Sequence, residues 1–360
     1  MYSETDIEAA VAAGAMTPEA ASALRNYVSS QRAAPSVDEE HFRLITGFND
    51  IFVGIAAAIL LFAVAWIGQS IGPKIGGDGP SPFAGLFAAA TAWGLAEFFT
   101  KKRRMALPSI LLLLAFTGGV LLTAFAALVL GIGVATFENN ERAIALVVAA
   151  SAAVAAGATW LHWRRFRVPI TVAAGAATVV GLVMALIASA VGDSPRLEDI
   201  LLGSGLVLGI GVFLFAMWWD SSDPRRETRR ADVAFWLHLL AAPLIVHPIF
   251  TLLGLNDGRA TVAEAMVVLV LYFILGLTAL AIDRRALLVS ALAYVLWALS
   301  DLFDRLGAVE LNVALTALVI GSGLLLLSAF WHNARRMVVR PLPEGLQSKL
   351  PVIDRPALAA

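Results

Sequence analysis

The chain has 360 residues, of which 59% are hydrophobic and only 15% are charged. Soluble domains carry about 25% charged residues, so this composition, with a mean hydropathy of +0.81, predicts a protein that resides in lipid. The net charge of −1 gives no attraction for nucleic acid, and the absence of cysteine excludes disulfides, thiolate metal sites and cysteine nucleophiles.

The first 47 residues are polar and acidic, and they lack the pattern of a cleavable signal peptide. Residues 3–32 predict a small helical hairpin, and a linker follows. Gly14 suits the left-handed end of a first helix, and Thr17 followed by Pro18 is typical of the start of a second helix. About 30 residues cannot bury a self-sufficient core. We therefore expect this hairpin to dock on the membrane domain, on a second copy, or on a cytoplasmic partner.

The run from Ala10 to Ala21, AVAAGAMTPEAA, precedes a polar linker and many apolar runs. In this it resembles the start of bacterial membrane proteins that pair a small N-terminal helical hairpin with a multi-span domain. The resemblance covers only the N-terminal part of the chain. It implies the same two-part organisation and no activity, because those families have no assigned function to carry over.

From residue 48 onward the chain alternates long apolar runs with short polar segments. A helix needs about 20 apolar residues to cross about 30 Å of hydrocarbon, and lipid requires every backbone polar group to be satisfied internally. We predict an all-α, polytopic transmembrane bundle of ten spans, arranged as five hairpins over residues 48–332, and a flexible cytoplasmic tail over 333–360. The predicted spans are 48–70, 82–100, 107–133, 143–163, 168–192, 198–219, 231–254, 260–282, 286–306 and 309–331.

The distribution of Lys and Arg predicts the orientation. Of the 26 basic residues, five stand singly in the loops after the odd-numbered runs, and the remaining 21 lie on the other side. Basic loops stay in the cytoplasm, so we expect a multi-pass protein of the bacterial inner membrane with both termini cytoplasmic. The basic clusters lie within Lys101–Arg104, Arg164–Arg167, Arg225–Arg230, Arg284–Arg285 and Arg335–Arg340.

Two apolar patterns have structural interpretations. Trp160, Trp218 and Trp331 lie beside basic clusters, where amphipathic rings prefer the headgroup layer. Gly205 and Gly209, four residues apart in the sixth run, indicate close contact with another helix.

The basic clusters recur about every 50–65 residues, which indicates either tandem hairpin units or simply the regularity that the orientation rule imposes.

Polar residues within lipid are costly, so each one marks a candidate site, and the last four runs hold most of them. Pro243 and Pro248 each remove a helical hydrogen bond, which predicts a helix break around His247. From the helical rise, His247, Asp301 and Glu264 lie about 10, 7 and 5 Å below the outer ends of their helices. We predict a polar vestibule, open to the outer side, whose lining is His247, Glu264, Tyr294, Asp301, Asp304 and Asn312.

Alternative interpretations remain open for these residues. The acids and Asn312 can be ordinary helix ends, with His247 hydrogen-bonded inside the bundle. No metal or cofactor is predicted, because His238 and His247 are nine residues apart and face opposite sides of one helix. Every lysine lies outside the predicted spans, which excludes a retinal pigment.

Three functional hypotheses follow. The first is a non-enzymatic protein that moves or senses a small solute through the vestibule. The second is a membrane scaffold that docks partners through its N-terminal hairpin, and the third is a membrane enzyme acting on lipid. The expected partners are the lipid bilayer, a small solute, and a second copy or a cytoplasmic protein bound through residues 3–32, with no nucleic acid.

Overall fold

The computed structural model describes residues 7, 10–31, 48–137, 140–224, 226, 228–254, 262–305 and 312–352. Within these ranges the side chains of residues 25–31, 262, 264, 286, 293, 297, 301, 302, 304, 305 and 312 lie outside the description. The described residues form helices and turns without a β-strand, which confirms the predicted all-α class. The chain divides into one unit of residues 1–42 and 354–360 and a second of residues 43–353.

The first unit contains the predicted helical turn and cap. Gly14 adopts φ +71°, the left-handed conformation that glycine tolerates without steric cost. The next helix spans Pro18–Gln31, and the Thr17 hydroxyl accepts a hydrogen bond from the Ala20 amide at 3.2 Å. This cap satisfies one of the amides that a helix start leaves without an intrahelical partner.

The second unit contains ten helices that coincide with the ten predicted runs. They are α1 (Phe48–Ile71), α2 (Pro82–Phe99), α3 (Ala106–Ile132), α4 (Glu141–Phe166), α5 (Ile170–Val191), α6 (Leu197–Ser221), α7 (Arg229–Leu252), α8 (Val262–Ile282), α9 (Ala286–Arg305) and α10 (Asn312–Ala329).

Within the described part of the chain, α1 to α8 are long and apolar enough to cross a membrane. The last two helices differ. The apolar stretch of α9 is shorter, over Leu287–Ser300, and α10 meets the same criterion only together with the next helix, α11 (Trp331–Val339), from which it is bent by 75°. The protein is therefore a multi-pass integral membrane protein with eight clear spanning helices. The last two predicted spans coincide with α9 and α10.

The most extensive helix contacts join α2 with α3, α4 with α5, and α6 with α7. Each of these three pairs is connected by a turn rich in basic residues, as are α8 and α9. The ends carrying these turns lie together, because Arg165 at the end of α4 pairs with Glu97 near the end of α2, and Trp236 near the start of α7 packs against the turn between α4 and α5. We refer to this end of the second unit as the basic end.

Each of the four basic turns contains one non-glycine residue in the left-handed region. The φ angles are +55° for Arg104, +55° for Arg167, +53° for Arg226 and +57° for Asp283, and no other described non-glycine residue has a positive φ. This conformation costs about 1–2 kcal/mol for a residue with a Cβ. Its recurrence shows that the four turns reverse the chain in a similar way, a structural counterpart of the recurrent clusters in the sequence.

Residues 333–352 are folded, so the predicted flexible tail is wrong over this stretch. Trp331, Arg335 and Val339, spaced by four residues, are buried because they form the face of α11 that packs against α8. A short helix, α12 (Glu344–Gln347), follows. The prolines of residues 333–352 therefore lie in a packed segment rather than in a disordered one. The prediction for residues 353–360 lies outside the described residues.

Candidate functional site

The structure brings two of the six predicted vestibule residues together. His247 of α7 lies on an exposed surface, and its Nδ1 is 2.7 Å from the hydroxyl of Tyr294 of α9. Phe250, one turn further along α7, stacks on the Tyr294 ring with centroids 4.4 Å apart. The side chains of the other four, Glu264, Asp301, Asp304 and Asn312, lie outside the described residues, so the vestibule as a whole stays a prediction.

The predicted helix break in α7 is wrong, because the helix continues through Pro243 and Pro248. Pro248 cannot donate to the carbonyl of Leu244. That carbonyl lies against Gly209 of α6, at a position where an added Cβ would be 2.9 Å from the oxygen. A close neighbouring helix is one of the conditions under which membrane helices tolerate proline. The predicted close contact at Gly209 is confirmed, whereas Gly205 has only ordinary contacts.

The two histidines of α7 face opposite sides, as their spacing predicts. His247 is exposed, whereas His238 is 1% exposed and turns into the bundle. Its Nε2 is 3.1 Å from the carboxylate of Asp220 at the end of α6. Because a carboxylate only accepts, Nε2 carries the proton in this contact.

Asp220 is the centre of a buried ion pair. Arg284, in the turn between α8 and α9, donates from Nη2 to Asp220 Oδ1 at 2.6 Å and from Nε to Oδ2 at 3.2 Å. Its Nη2 also donates to the carbonyl of Ala231 in α7 at 3.1 Å. The side chains of Asp220 and Arg284 are 0% and 3% exposed. The bidentate geometry is the strong form of an arginine–carboxylate contact, and it connects α6, α7 and the turn before α9.

A second ion pair lies beside the first and centres on Asp283. Arg226, in the turn between α6 and α7, donates to Asp283 Oδ2 at 2.8 Å and to the carbonyls of Ile282 and Asp283 at 3.1 Å. The indole nitrogen of Trp331 donates to Asp283 Oδ1 at 2.7 Å. Trp331 is only 4% exposed, so its assignment to an interfacial belt is wrong. Trp160 and Trp218, at 54% and 62% exposed, have surfaces that fit such a belt.

The C-terminal segment, residues 331–352, is attached to the second ion pair and to the turn between α6 and α7. Arg335 lies 3.8 Å from Asp283 and donates to the carbonyls of Pro351 and Val352 at 2.5 and 3.1 Å. The amide of Val352 in turn donates to the carbonyl of Pro224, in the turn between α6 and α7, at 3.2 Å. We call the connected set the basic-end network; its members are Asp220, Arg226, His238, Asp283, Arg284, Trp331 and Arg335.

A dry layer separates this network from the His247–Tyr294 pair. Along α7, His238 and His247 are about 13 Å apart. Between these levels the interior of α7, α8 and α9 is built from buried apolar side chains, among them Ala242, Ala279 and Ala291. The seam between α7, α8 and α9 therefore has two polar levels with an apolar layer between them.

Sequence reasoning missed the basic-end network. The available signal was the presence of Asp220 and Asp283 beside the basic clusters, where an acid weakens the cationic pattern that orients the chain. This signal is weak because helix ends at a membrane surface ordinarily carry solvated charges. Among the described residues there is no group of three or more His, Asp or Glu side chains placed to hold a metal ion.

None of the protein-family models, curated proteins and solved structures compared with the chain matches it.

Proposed function

We propose that the protein moves a small polar solute along the seam between α7, α8 and α9, and that the basic-end network is the closed gate at one end of this route. The supporting observation is the network itself. Five of its side chains are ionic, and nearly all of its members are buried. They come from α6, α7, the two basic turns that flank the seam and the C-terminal segment.

Buried ion pairs are weak evidence for stability, because desolvation of both charges can cost as much as their attraction returns. They are well suited to a gate, because two packings of such an interface can differ by only a few kcal/mol. The His247–Tyr294 pair gives the seam a second polar level, at which His247 is exposed. Two polar levels with a dry layer between them fit a transporter that is closed toward the basic end.

The test uses cysteine accessibility, because the natural chain has no cysteine and each probe needs only one substitution. Ala291 of α9 is 0% exposed and lies in the seam. In Ala291→Cys we expect no reaction with a membrane-impermeant maleimide added from the basic end. Combining it with Asp220→Asn weakens the gate, and labelling should then rise several-fold.

Ala92 of α2 is the matched control. It is also 0% exposed and lies about 10 Å from the basic end of its helix, but it packs in a cluster away from the seam. Ala92→Cys should stay unlabelled with and without Asp220→Asn. Unchanged labelling at Ala291→Cys, or an equal rise at both positions, would contradict a gate and indicate a purely structural network.

A scaffold is the second candidate, and the dry layer of the seam is the observation that favours it. If the protein is a scaffold, the apolar layer stays closed to the maleimide even in Asp220→Asn. Partners are then expected to bind through the N-terminal hairpin. Leu24, which follows the capped helix start, is 36% exposed. Leu24→Glu should abolish such binding without affecting the labelling of Ala291→Cys.

A further inference from the structure

A groove of about 120 Å³ lies between α8, α9, α10 and the start of α11. Tyr272, Leu288, Leu292 and Leu327 contribute to its largely apolar walls. Large apolar side chains around it, such as Leu325 at 73% exposed, have the exposure expected of a surface that faces lipid. The groove therefore opens toward the hydrocarbon of the membrane.

One end of the groove carries a cation held in a defined position. Arg285 lines the groove, and its guanidinium carbon lies 4.8 Å from the ring centroid of Trp331. The Trp331 ring is itself fixed by the 2.7 Å hydrogen bond to Asp283. A guanidinium stacked on an anchored ring loses little further freedom when it binds an anion.

The groove runs from this cation into the apolar part of the bundle. Leu292 is seven residues beyond Arg285 on α9, which corresponds to about 10 Å along the helix. At the cationic end, α11 diverges from α10 by 75° and carries the exposed side chains of Arg336 and Arg340. Positive charge is therefore concentrated at the end where the headgroup layer would be.

We propose that this groove binds an anionic phospholipid from the leaflet at the basic end, with an acyl chain along the leucine walls and the phosphate at Arg285. A free phosphate would make no contact with the apolar walls, and a purely apolar ligand would make no contact with the guanidinium. Basic pockets between membrane helices are a recurrent form of headgroup recognition. This site lies on the perimeter of α8, α9 and α10, so it does not depend on the proposed transport route.

Native mass spectrometry of the purified protein in detergent tests the proposal. Phosphatidylglycerol and phosphatidylcholine with identical acyl chains are compared, because the choline ammonium offsets the phosphate charge. We expect phosphatidylglycerol to bind about tenfold more tightly, the ratio that one charge-assisted hydrogen bond supplies. Arg285→Gln should bring that ratio close to one.

Arg164 provides the matched control. It lies 4.9 Å over the ring of Trp160, so it repeats the arginine–tryptophan contact at the basic end, but α4 does not line the groove. Arg164→Gln should keep the preference of the unmodified protein. Loss of preference in Arg164→Gln as large as in Arg285→Gln would mean general attraction to a basic surface and would overturn a specific site.

Two further measurements make the result independent of the folding of Arg285→Gln. Leu292→Trp fills the groove and should weaken both lipids several-fold, whereas unchanged binding of both would refute the acyl-chain position. Glycerol phosphate should not displace phosphatidylglycerol at equal concentration. Displacement would show that the cation binds phosphate alone, and the phospholipid proposal would then be abandoned.

Discussion

Breaking the ion pair between Asp220 and Arg284 should destabilise the protein far more than breaking the ion pair between Glu97 and Arg165. Both pairs are bidentate and lie at the basic end, with contacts of 2.6 and 3.2 Å in the first and 2.7 and 2.8 Å in the second. They differ in burial. The side chains of Asp220 and Arg284 are at most 3% exposed, whereas those of Glu97 and Arg165 are 35% and 44% exposed.

Asp220→Ala leaves the Arg284 guanidinium buried without its carboxylate, and it also removes the acceptor of His238. Breaking one side of a buried pair costs about 3–5 kcal/mol of unfolding free energy. The change Glu97→Ala leaves Arg165 in contact with solvent, so we expect no resolvable loss. Unfolding of both variants in mixed detergent micelles, followed by tryptophan fluorescence, provides the comparison.

A double variant separates lost attraction from an unpaired charge. Asp220→Leu combined with Arg284→Met removes both charges, and apolar replacement of a buried pair is often neutral or stabilising. We expect the double variant to recover most of the unfolding free energy that Asp220→Ala loses. About 1–3 kcal/mol should stay lost, because the ring N–H of His238 has no acceptor. A double variant less stable than Asp220→Ala, or equal losses at Asp220 and Glu97, would refute the reasoning.

Two other substitutions have clear controls. Gly209→Ala should lower the free energy of unfolding by about 1–3 kcal/mol, because the new Cβ meets the backbone of α7. The control is Gly211→Ala, which should be neutral or slightly stabilising because no atom lies within 4 Å of the added Cβ. Trp331→Phe removes the hydrogen bond to Asp283, so trypsin should cleave the C-terminal segment several-fold faster, whereas Trp160→Phe, at an exposed position, should leave the cleavage rate unchanged.

The helices could be predicted because the signal for each is local and continuous. A run of about 20 apolar residues must be helical in lipid whatever its neighbours are, and α1 to α8 follow that rule. The cap at Thr17 and the close contact at Gly209 were also predictable, because a side-chain oxygen before a helix and a small residue within it have few alternative uses.

The basic-end network could not be predicted, because its partners are far apart in the chain. Asp220 and Arg284 are 64 residues apart, and Asp283 and Trp331 are 48 apart. Each looks locally like an ordinary residue at a helix end. Their pairing depends on which basic turns become neighbours, and helix packing decides that. The same reason explains why the C-terminal segment looked flexible: its buried face is complete only when α8 lies beside it.

The buried arginines also bear on the predicted orientation. The orientation rule treats each Lys or Arg near a span as a charge retained on the cytoplasmic side, yet Arg226, Arg284 and Arg335 bond to carboxylates or carbonyls inside the fold. Without these three, 18 of the 21 basic residues on that side remain against five on the other, so the predicted orientation does not depend on them. Arginine therefore has two separate roles in this protein: it orients the helices during membrane insertion, and it forms buried ion pairs in the folded state. Loss of a buried arginine should change the packing of the basic end while the direction of the helices in the membrane stays the same.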